Sequence, residues 1–478
     1  VRNPRTGEVD YHVDTPASDE LDAVCRRLRK AQVSWRSEGL DHRINALRKW
    51  STALLESRSK IAAALSADTG RGRESELEID IVGRSVDRWS SLAPALLDEG
   101  DARTASIPTI QIASDSIPYQ LASVISPWNF PLLLSMIDTL PALLAGCAVI
   151  VKPSEVTPRF IEPLMKTIRS AGPLSDVLAF VPGDGSTGAQ LIERVDVIAF
   201  TGSIPTGKKV AQEAAKRFIP AFLELGGKDP AVVLESADLD RATSACLWGS
   251  VVNAGQSCQS IERIYVASPI FEDFVGRLIE KAKAVRLAHP TPESGEIGPI
   301  IAARQAEVIE EQLRDAVSKG AKIHSGGEIE QIDGGLWCRP TVVTNVDHSM
   351  KLMSEETFGP IMPVMPFNTA DEAVDLANDS IYGLSAAVFA ATDEEAVAVA
   401  RRINAGAVSV NDAALTAFIQ EAEKNSFNLS GLGGSRMGPA ALRRFMRRKA
   451  FLIQTSDQPD PWWFSQPPPA TGADAKTR

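Results

Sequence analysis

The chain has 478 residues, 44% of them hydrophobic and 23% charged, which is too long for one ordinary core and predicts two or three domains with ample buried apolar surface. Its 61 acidic residues against 50 basic ones leave a net charge of -11, which repels polyanions and argues against nucleic acid as a partner. The best apolar run, Thr139 to Val151, falls short of the roughly 20 residues that span a bilayer and contains Pro141 and Gly146, so no membrane helix is expected. The start, Val1-Arg2-Asn3-Pro4, lacks the apolar core of a signal peptide, and the expected compartment is the cytoplasm.

Residues 18 to 98 are rich in Ala, Leu, Arg and Glu with helical periodicity and predict helices packed on a sheet. Thr104 to Tyr119, with Ile107, Ile110 and Ile112, reads as a hairpin or an arm. From Leu121 onward, short apolar runs alternate with helix-like stretches, the pattern of a doubly wound α/β domain. Leu121 to Ile125, Ala148 to Lys152, Val177 to Val181 and Val195 to Phe200 are near-continuous apolar runs, the mark of strands buried on both faces. A second α/β series follows from Pro230, with strands Ala231 to Leu234, Arg263 to Val266, Ala386 to Ala390 and Ala407 to Val410 around helices such as Glu272 to Val285. Two α/β domains with a cleft between them are expected. The polar, Pro-rich tail after Ser456 carries Trp462, Trp463 and Phe464, aromatics that seek a partner surface within the subunit or across an oligomer interface.

The five cysteines, at 25, 147, 246, 258 and 338, are scattered with no C-x-x-C pair, which argues against a disulfide framework or a zinc site. Any one of them defaults to a small buried hydrophobe. Cys258 stands apart because Gly255-Gln256-Ser257-Cys258 lies between a helix-like stretch, Asp238 to Val252, and the strand Ile261 to Val266, where a thiol can be exposed. In Leu223-Glu224-Leu225-Gly226-Gly227-Lys228 a carboxylate sits among apolar residues at a strand end, costly to bury unless protonated or used as a base. The plainer alternative is pairing with Lys228 or a helix end. Ser126-Pro127-Trp128-Asn129-Phe130-Pro131 ends a strand, where open α/β sheets bind ligands, and Asn129 offers an amide donor there or a simple turn residue. Gly183-Asp184-Gly185-Ser186-Thr187-Gly188 matches G-x-G-x-x-G, and Phe200-Thr201-Gly202-Ser203-Ile204-Pro205-Thr206-Gly207 also runs from strand into helix. Either can cradle a phosphate or be a packing turn.

Six motifs together resemble the aldehyde dehydrogenase superfamily in its own order: Pro127-Trp128-Asn129-Phe130-Pro131, Lys152-Pro153-Ser154-Glu155, Phe200-Thr201-Gly202-Ser203, Glu224-Leu225-Gly226-Gly227-Lys228, Gly255-Gln256-Ser257-Cys258 and Glu355-Glu356-Thr357-Phe358-Gly359-Pro360. The resemblance runs from Asn3 to about Gly438. It implies an α/β fold with a Rossmann-type dinucleotide domain (1–103 and 121–225), a catalytic domain (226–440) and a small β oligomerisation element (104–120 with 441–478), assembled as a homodimer or homotetramer. It assigns Cys258 as nucleophile, Glu224 as general base and Asn129 as oxyanion donor. It places Lys152 and Glu155 at the adenosine ribose, Gly202 and Ser203 at the pyrophosphate, and Glu356 at the nicotinamide ribose with Phe358 nearby. Ser126, Pro127, Trp128, Ser154, Gly183, Thr201 and Leu225 complete the implied cofactor site.

The implied chemistry is attack of the Cys258 thiolate on an aldehyde, an oxyanion held by Asn129 and the Cys258 backbone N–H, loss of hydride to leave a thioester, and hydrolysis by water that Glu224 deprotonates. No metal is required. NAD is expected in preference to NADP, because a carboxylate at Glu155 suits ribose hydroxyls and repels a 2′-phosphate. Trp128, Phe130, Leu134, Ile137, Ser257 and Gln259 fall near the implied substrate tunnel, and with no arginine pair evident among them the expected substrate is an aromatic or medium-chain aldehyde. The chain departs from the family at Asp138, where many hydrolytic members carry a lysine that relays protons. It also departs at Asn428-Leu429-Ser430-Gly431, at Gln120 and at Gln259. The alternatives are a CoA-acylating enzyme, in which CoA resolves the thioester, and a non-catalytic scaffold of the same fold.

Overall fold

A computed structural model describes residues 1–98 and 100–464. It separates into a main unit, Val1–Leu96 with Pro118–Met446, and a small unit, Leu97–Ile117 with the chain from Arg447.

The helical opening predicted for 18 to 98 is four helices, Ser18–Ser37, Gly39–Glu56, Arg58–Thr69 and Arg73–Leu97. On the first, Leu21, Cys25, Leu28, Gln32 and Trp35 recur every three or four residues and form its buried stripe. That helix packs on the strand Ala148–Lys152. A sheet of six strands runs in the order Gly431–Leu432, Ala221–Glu224, Val197–Thr201, Leu121–Ile125, Ala148–Lys152 and Leu178–Phe180. From Ala221–Glu224 onward its neighbours are parallel, so their carboxyl ends share one edge. The strands 121–125, 148–152 and 197–201 are buried at every residue, as near-continuous apolar runs require. Two boundaries move: Val177 closes a short helix before the strand opens at Leu178, and the strand expected from Val195 starts at Val197.

The second sheet has seven strands in the order Lys322–Ser325, Thr341–Thr344, Ile361–Phe367, Ile261–Ala267, Asp229–Val233, Ser385–Phe389 and Ala407–Val410. All its pairings are parallel except that of Lys322–Ser325. Ile361–Phe367 lies inside this sheet although Pro363 and Pro366 argue against a central strand. It is accommodated by a change of partner: 361–363 pair with 341–343, and 364–367 pair with 264–267.

Gly431–Leu432 joins the edge of the first sheet antiparallel to Glu224 and Leu223, although its sequence position groups it with the second domain. The segment 441–446, expected in the oligomerisation element, belongs to the main unit because Leu442 and Phe445 are fully buried there and Phe445 accepts a backbone hydrogen bond from Tyr119. The small unit holds a three-stranded sheet, Arg103–Thr104, Ile110–Pro118 and Met446–Gln454, so the Thr104 to Tyr119 region is a strand with an antiparallel return. Leu452, Trp463 and Phe464 are 72%, 60% and 97% exposed, so the tail aromatics remain open to solvent in this chain. The tail beyond Phe464 lies outside the described residues. Among the described residues no helix is long and apolar enough to cross a membrane.

Candidate functional site

The chain leaves the first sheet at Glu224 and enters the second at Asp229, so residues 225–228 bridge the two sheets. Gly227 can occupy this bridge because it has no side chain: a Cβ there would stand 2.3 Å from the carbonyl oxygen of Cys258. This contact brings the strand end that carries Glu224 beside the loop that carries Cys258. The helix Leu239–Val251 ends in three successive residues with left-handed φ, Asn253 at 56°, Ala254 at 54° and Gly255 at 70°. Two of these are not glycine, a strained arrangement that surrounding contacts must hold. Asn253 Nδ2 donates to the carbonyls of Asn129 and Gln256 at 3.1 and 3.0 Å, and Gln256 Nε2 returns a bond to the Asn253 carbonyl at 2.9 Å. The loop therefore delivers Cys258 from a fixed platform. Cys258 is half-buried, whereas the other four cysteines are buried.

Asn129 is 2% exposed, and its Nδ2 donates to the Gln256 carbonyl at 3.0 Å, leaving a second N–H on the same nitrogen. Its backbone carbonyl accepts from Arg71 Nη1 at 2.6 Å. Arg71 is itself paired with Glu78, whose other oxygen accepts from the N–H groups of Leu132 and Leu133 at the start of the helix Pro131–Ala145. Sequence reasoning missed Arg71 and Glu78. Their signal was only a pair of charges seven residues apart, Arg71 just before the charge-rich helix Arg73–Leu97 and Glu78 on it.

Glu224 is 9% exposed. Its Oε2 accepts from Ser426 Oγ at 2.8 Å, and Lys424 Nζ lies 3.8 Å from the same atom. The expected alternative partner, Lys228, instead bonds Glu262 at 2.7 Å and Thr357 Oγ1 at 2.8 Å. Glu262 also accepts from the backbone of Thr357 and Phe358, which fixes the Glu355–Pro360 motif. Glu356 follows from that: its Oε1 accepts from Gly227 N at 3.0 Å, and any Cβ on Gly226 would strike its carboxylate.

Burial, aggravated by Glu262, pushes the Glu356 carboxyl up to about 8, and burial pushes Asp229 up to about 7 against the opposing bonds from Ser385. Burial pushes the Cys258 thiol up to about 12, with Glu356 and Asp229 adding to the rise and Arg436 and Lys424 pulling it down. Burial and the two carboxylates thus disfavour a thiolate at this position, against the pull of Arg436 and Lys424.

Cys258, Glu224 and Asn129 line one cleft of about 1090 Å³ including its open mouth. Phe130, Leu134, Ile137, Leu225, Ser257 and Gln259 line it too. Leu77, Ile81, Trp248, Val252 and Phe418 complete an apolar wall that the sequence did not reveal. Trp128 is not among the lining residues and packs edge-on against Phe358 with ring centroids 5.3 Å apart. Lys424 and Arg436 enter the lining from the chain's end, so the cleft holds cations that the local sequence around the tunnel did not show. Arg436 Nη2 bonds Asp138 Oδ2 at 2.5 Å and Thr201 Oγ1 at 2.7 Å, and Arg444 takes the other Asp138 oxygen. Burial alone would raise Asp138, but the two guanidiniums hold it below the usual carboxylate range.

The expected cofactor residues gather on the carboxyl edge of the first sheet: Ser126 and Pro127 after one strand, Lys152 to Glu155 after the next, Thr201 to Ser203 and Leu225 after two others. The two glycine turns differ. Gly183 has φ +148° and a Cβ there would lie 2.2 Å from Thr187 Oγ1, while Asp184 caps the next helix through Ser186 N and Thr187 N. That helix end is already occupied by a carboxylate, so this turn reads as packing. At the other, a Cβ on Gly202 would strike the Phe200 ring, and Ser203 makes no side-chain cap to the helix Ile204–Arg217. Its first N–H groups are left for an anion such as a pyrophosphate. Lys152 is buried, with Nζ 2.7 Å from the Gly183 carbonyl and 3.2 Å from Glu155 Oε2, while the Glu155 side chain is 56% exposed. Ser126 Oγ is engaged with Ser135 Oγ at 2.7 Å, and Ser154 Oγ accepts from Val156 N. This edge fits a nicotinamide dinucleotide.

Residues 1–451 match the sequence model of the aldehyde dehydrogenase family. A solved structure from Anabaena variabilis, named provisionally as the aldehyde dehydrogenase PutA, is 59% identical with a TM-score of 0.96, covering 97% of this chain and 99% of that one. The betaine aldehyde dehydrogenase of Staphylococcus aureus, solved in complex with NAD+, is 32% identical with a TM-score of 0.91, covering 97% of this chain and 93% of that one. The 4,4'-diapolycopene aldehyde oxidase of a Methylomonas species is 35% identical over 86% of this chain and 77% of its own length. With a family match over nearly its whole length and relatives at this level of identity, the chain belongs to the aldehyde dehydrogenase family.

Proposed function

We propose that this dehydrogenase oxidises an uncharged aromatic or medium-chain aldehyde to its carboxylic acid, with Cys258 as nucleophile, Asn129 as oxyanion donor and Glu224 as the base that activates water. The observation that carries the reading is the convergence of those three side chains on a single cleft whose remaining wall is mostly apolar. Cys258 Sγ bonds to the aldehyde carbon, and the second N–H of Asn129 is free to meet the oxygen as it gains charge. A bound nicotinamide dinucleotide supplies the hydride acceptor, held by Gly202 and Ser203 at the pyrophosphate, Glu356 at one ribose and Lys152 with Glu155 at the other. Glu224 then takes a proton from water, whose oxygen displaces the thiolate from the acyl carbon. The cations in the cleft do not favour an anionic substrate, because Arg436 is already committed to Asp138 and Thr201 and Lys424 lies beside Glu224.

Glu224→Gln tests the assignment: a pre-steady-state burst of reduced cofactor is expected to survive while steady-state turnover falls about 100-fold or more. Equal loss of burst and turnover would place Glu224 in the first half-reaction. In a turnover panel, apolar six- to ten-carbon and aromatic aldehydes are expected to exceed a semialdehyde bearing a carboxylate, and the reverse order overturns the substrate reading.

NAD is the proposed preferred cofactor. Glu155 sits beside Lys152, where a 2′-phosphate would oppose the carboxylate and be partly compensated by the ammonium. The expected preference is about ten- to a hundredfold in kcat/KM, or roughly 1.4 to 2.7 kcal/mol. Glu155→Ser should raise efficiency with NADP, and no gain would remove Glu155 as the determinant. We also propose a homodimer or homotetramer, supported by the exposed Leu452 and Phe451 on the outer strand of the small unit.

A further inference from the structure

A general base acts through one oxygen, and the other has to be held so that the first points at the water. In Glu224 the two oxygens are treated differently. Oε2 accepts the Ser426 hydroxyl at 2.8 Å and has the Lys424 ammonium 3.8 Å away, whereas no hydrogen bond from the described residues reaches Oε1. Lys424 Nζ also donates to Ser426 Oγ at 3.4 Å, so cation, hydroxyl and carboxylate form a chain that ends on Oε2.

The loop that carries this pair is itself fixed. Lys424 N donates to Ser435 Oγ at 3.2 Å, and Ser435 Oγ donates on to the Met437 carbonyl at 3.0 Å. Lys424 is 6% exposed, and an ammonium held there without a carboxylate to serve would be costly. The other charged groups facing Glu224 are Arg436 and Arg444, with the Cys258 thiol across the cleft. Both guanidiniums are bonded to Asp138, at the position where the family resemblance leads one to expect a lysine. A carboxylate there cannot supply a cation to the base, and Arg436 and Arg444 are engaged with it. Lys424 is the cation whose nearest carboxylate is Glu224.

We propose that Lys424 and Ser426 are positioning residues for Glu224. They pin Oε2, so that Oε1 takes the proton as the water oxygen bonds to the acyl carbon, the C–S bond breaks and Cys258 leaves as thiolate. The inference rests on Glu224 being the deacylation base. It assigns the cationic support of the base to the C-terminal loop.

Stopped-flow and steady-state kinetics of the full chain with cofactor and an apolar aldehyde test it, using Lys424→Met, Lys424→Arg and Ser426→Ala. Steady-state turnover should fall by a clearly larger factor than the burst of reduced cofactor, about tenfold or more in Lys424→Met and less in Ser426→Ala, where the burst should stay within about twofold of the parent. Any burst loss confined to Lys424→Met follows from the pull of Lys424 on the Cys258 thiol. Lys424→Arg should restore turnover toward the parent rate, which a purely structural lysine would not predict. Burst and turnover falling by the same factor, or turnover unmoved in both Lys424→Met and Ser426→Ala, overturns the proposal. Glu224→Gln run alongside separates the two levels: normal turnover in that variant overturns the base assignment itself and this inference with it.

Discussion

Cys258→Ala is expected to lower aldehyde oxidation on the order of 10⁴-fold or more while changing cofactor affinity by less than about twofold. The size follows from the role: without sulfur no thiohemiacetal forms, and no other thiol can substitute, since Cys25, Cys147, Cys246 and Cys338 are all buried. Cofactor affinity is spared because the Ser203 turn, Lys152 and Glu356 hold their positions through contacts that do not include the thiol. Steady-state rates and a cofactor titration of the same preparation check both halves. Retained oxidation near the parental rate would remove the nucleophile assignment. An electrophile should label Cys258 ahead of the other thiols, and more readily with cofactor bound if the bound group favours the thiolate.

Asp138→Asn is expected to destabilise the chain by about 3–5 kcal/mol, the cost of leaving buried charge without its counter-ion. Asp138, Arg436 and Arg444 are all at most 9% exposed, and Arg436 and Arg444 each have a buried Nε without a partner. Taking away the carboxylate leaves two guanidiniums with even fewer acceptors. Because the arginines hold the Asp138 carboxyl below its ordinary range, its contribution is complete above the unfolded-state pKa and is lost only as pH falls through the folded one. The deficit should therefore be constant from about pH 6 to 8. Denaturant midpoints across that range check it, and a loss below about 1 kcal/mol would show that water or backbone carbonyls satisfy the arginines.

The parts of this molecule legible in the sequence were those where one short segment carries the whole signal. Leu121–Ile125 and Ala148–Lys152 announce themselves because a strand covered on both faces must be apolar at every position. Cys258, Glu224 and Asn129 were legible because each sits in a motif of a few residues. Ile361–Phe367 was not, since its two prolines are tolerated only through a switch of partner strand that no local pattern encodes. The supports of the site were invisible for a related reason. Arg71 reaches Asn129 across 58 residues, Ser426 reaches Glu224 across 202, and Arg436 reaches Asp138 across 298. Lysine, serine and arginine at such separations look like ordinary surface residues until the chain is folded.

Those separations also set an order in time. The first sheet emerges from the ribosome with Ala221–Glu224 as an open edge, and it stays so until Gly431–Leu432 arrives to close it. Arg444, the second counter-ion of Asp138, comes roughly 220 residues after Glu224, which at 5–20 residues per second is about 10–45 s of synthesis. Through that interval the nascent domain carries an uncapped strand and an unneutralised acid inside a helix destined for the core. A chain that stops before residue 424 keeps both liabilities permanently, so truncated products should cling to chaperones or aggregate rather than survive as a half-enzyme with a reactive thiol.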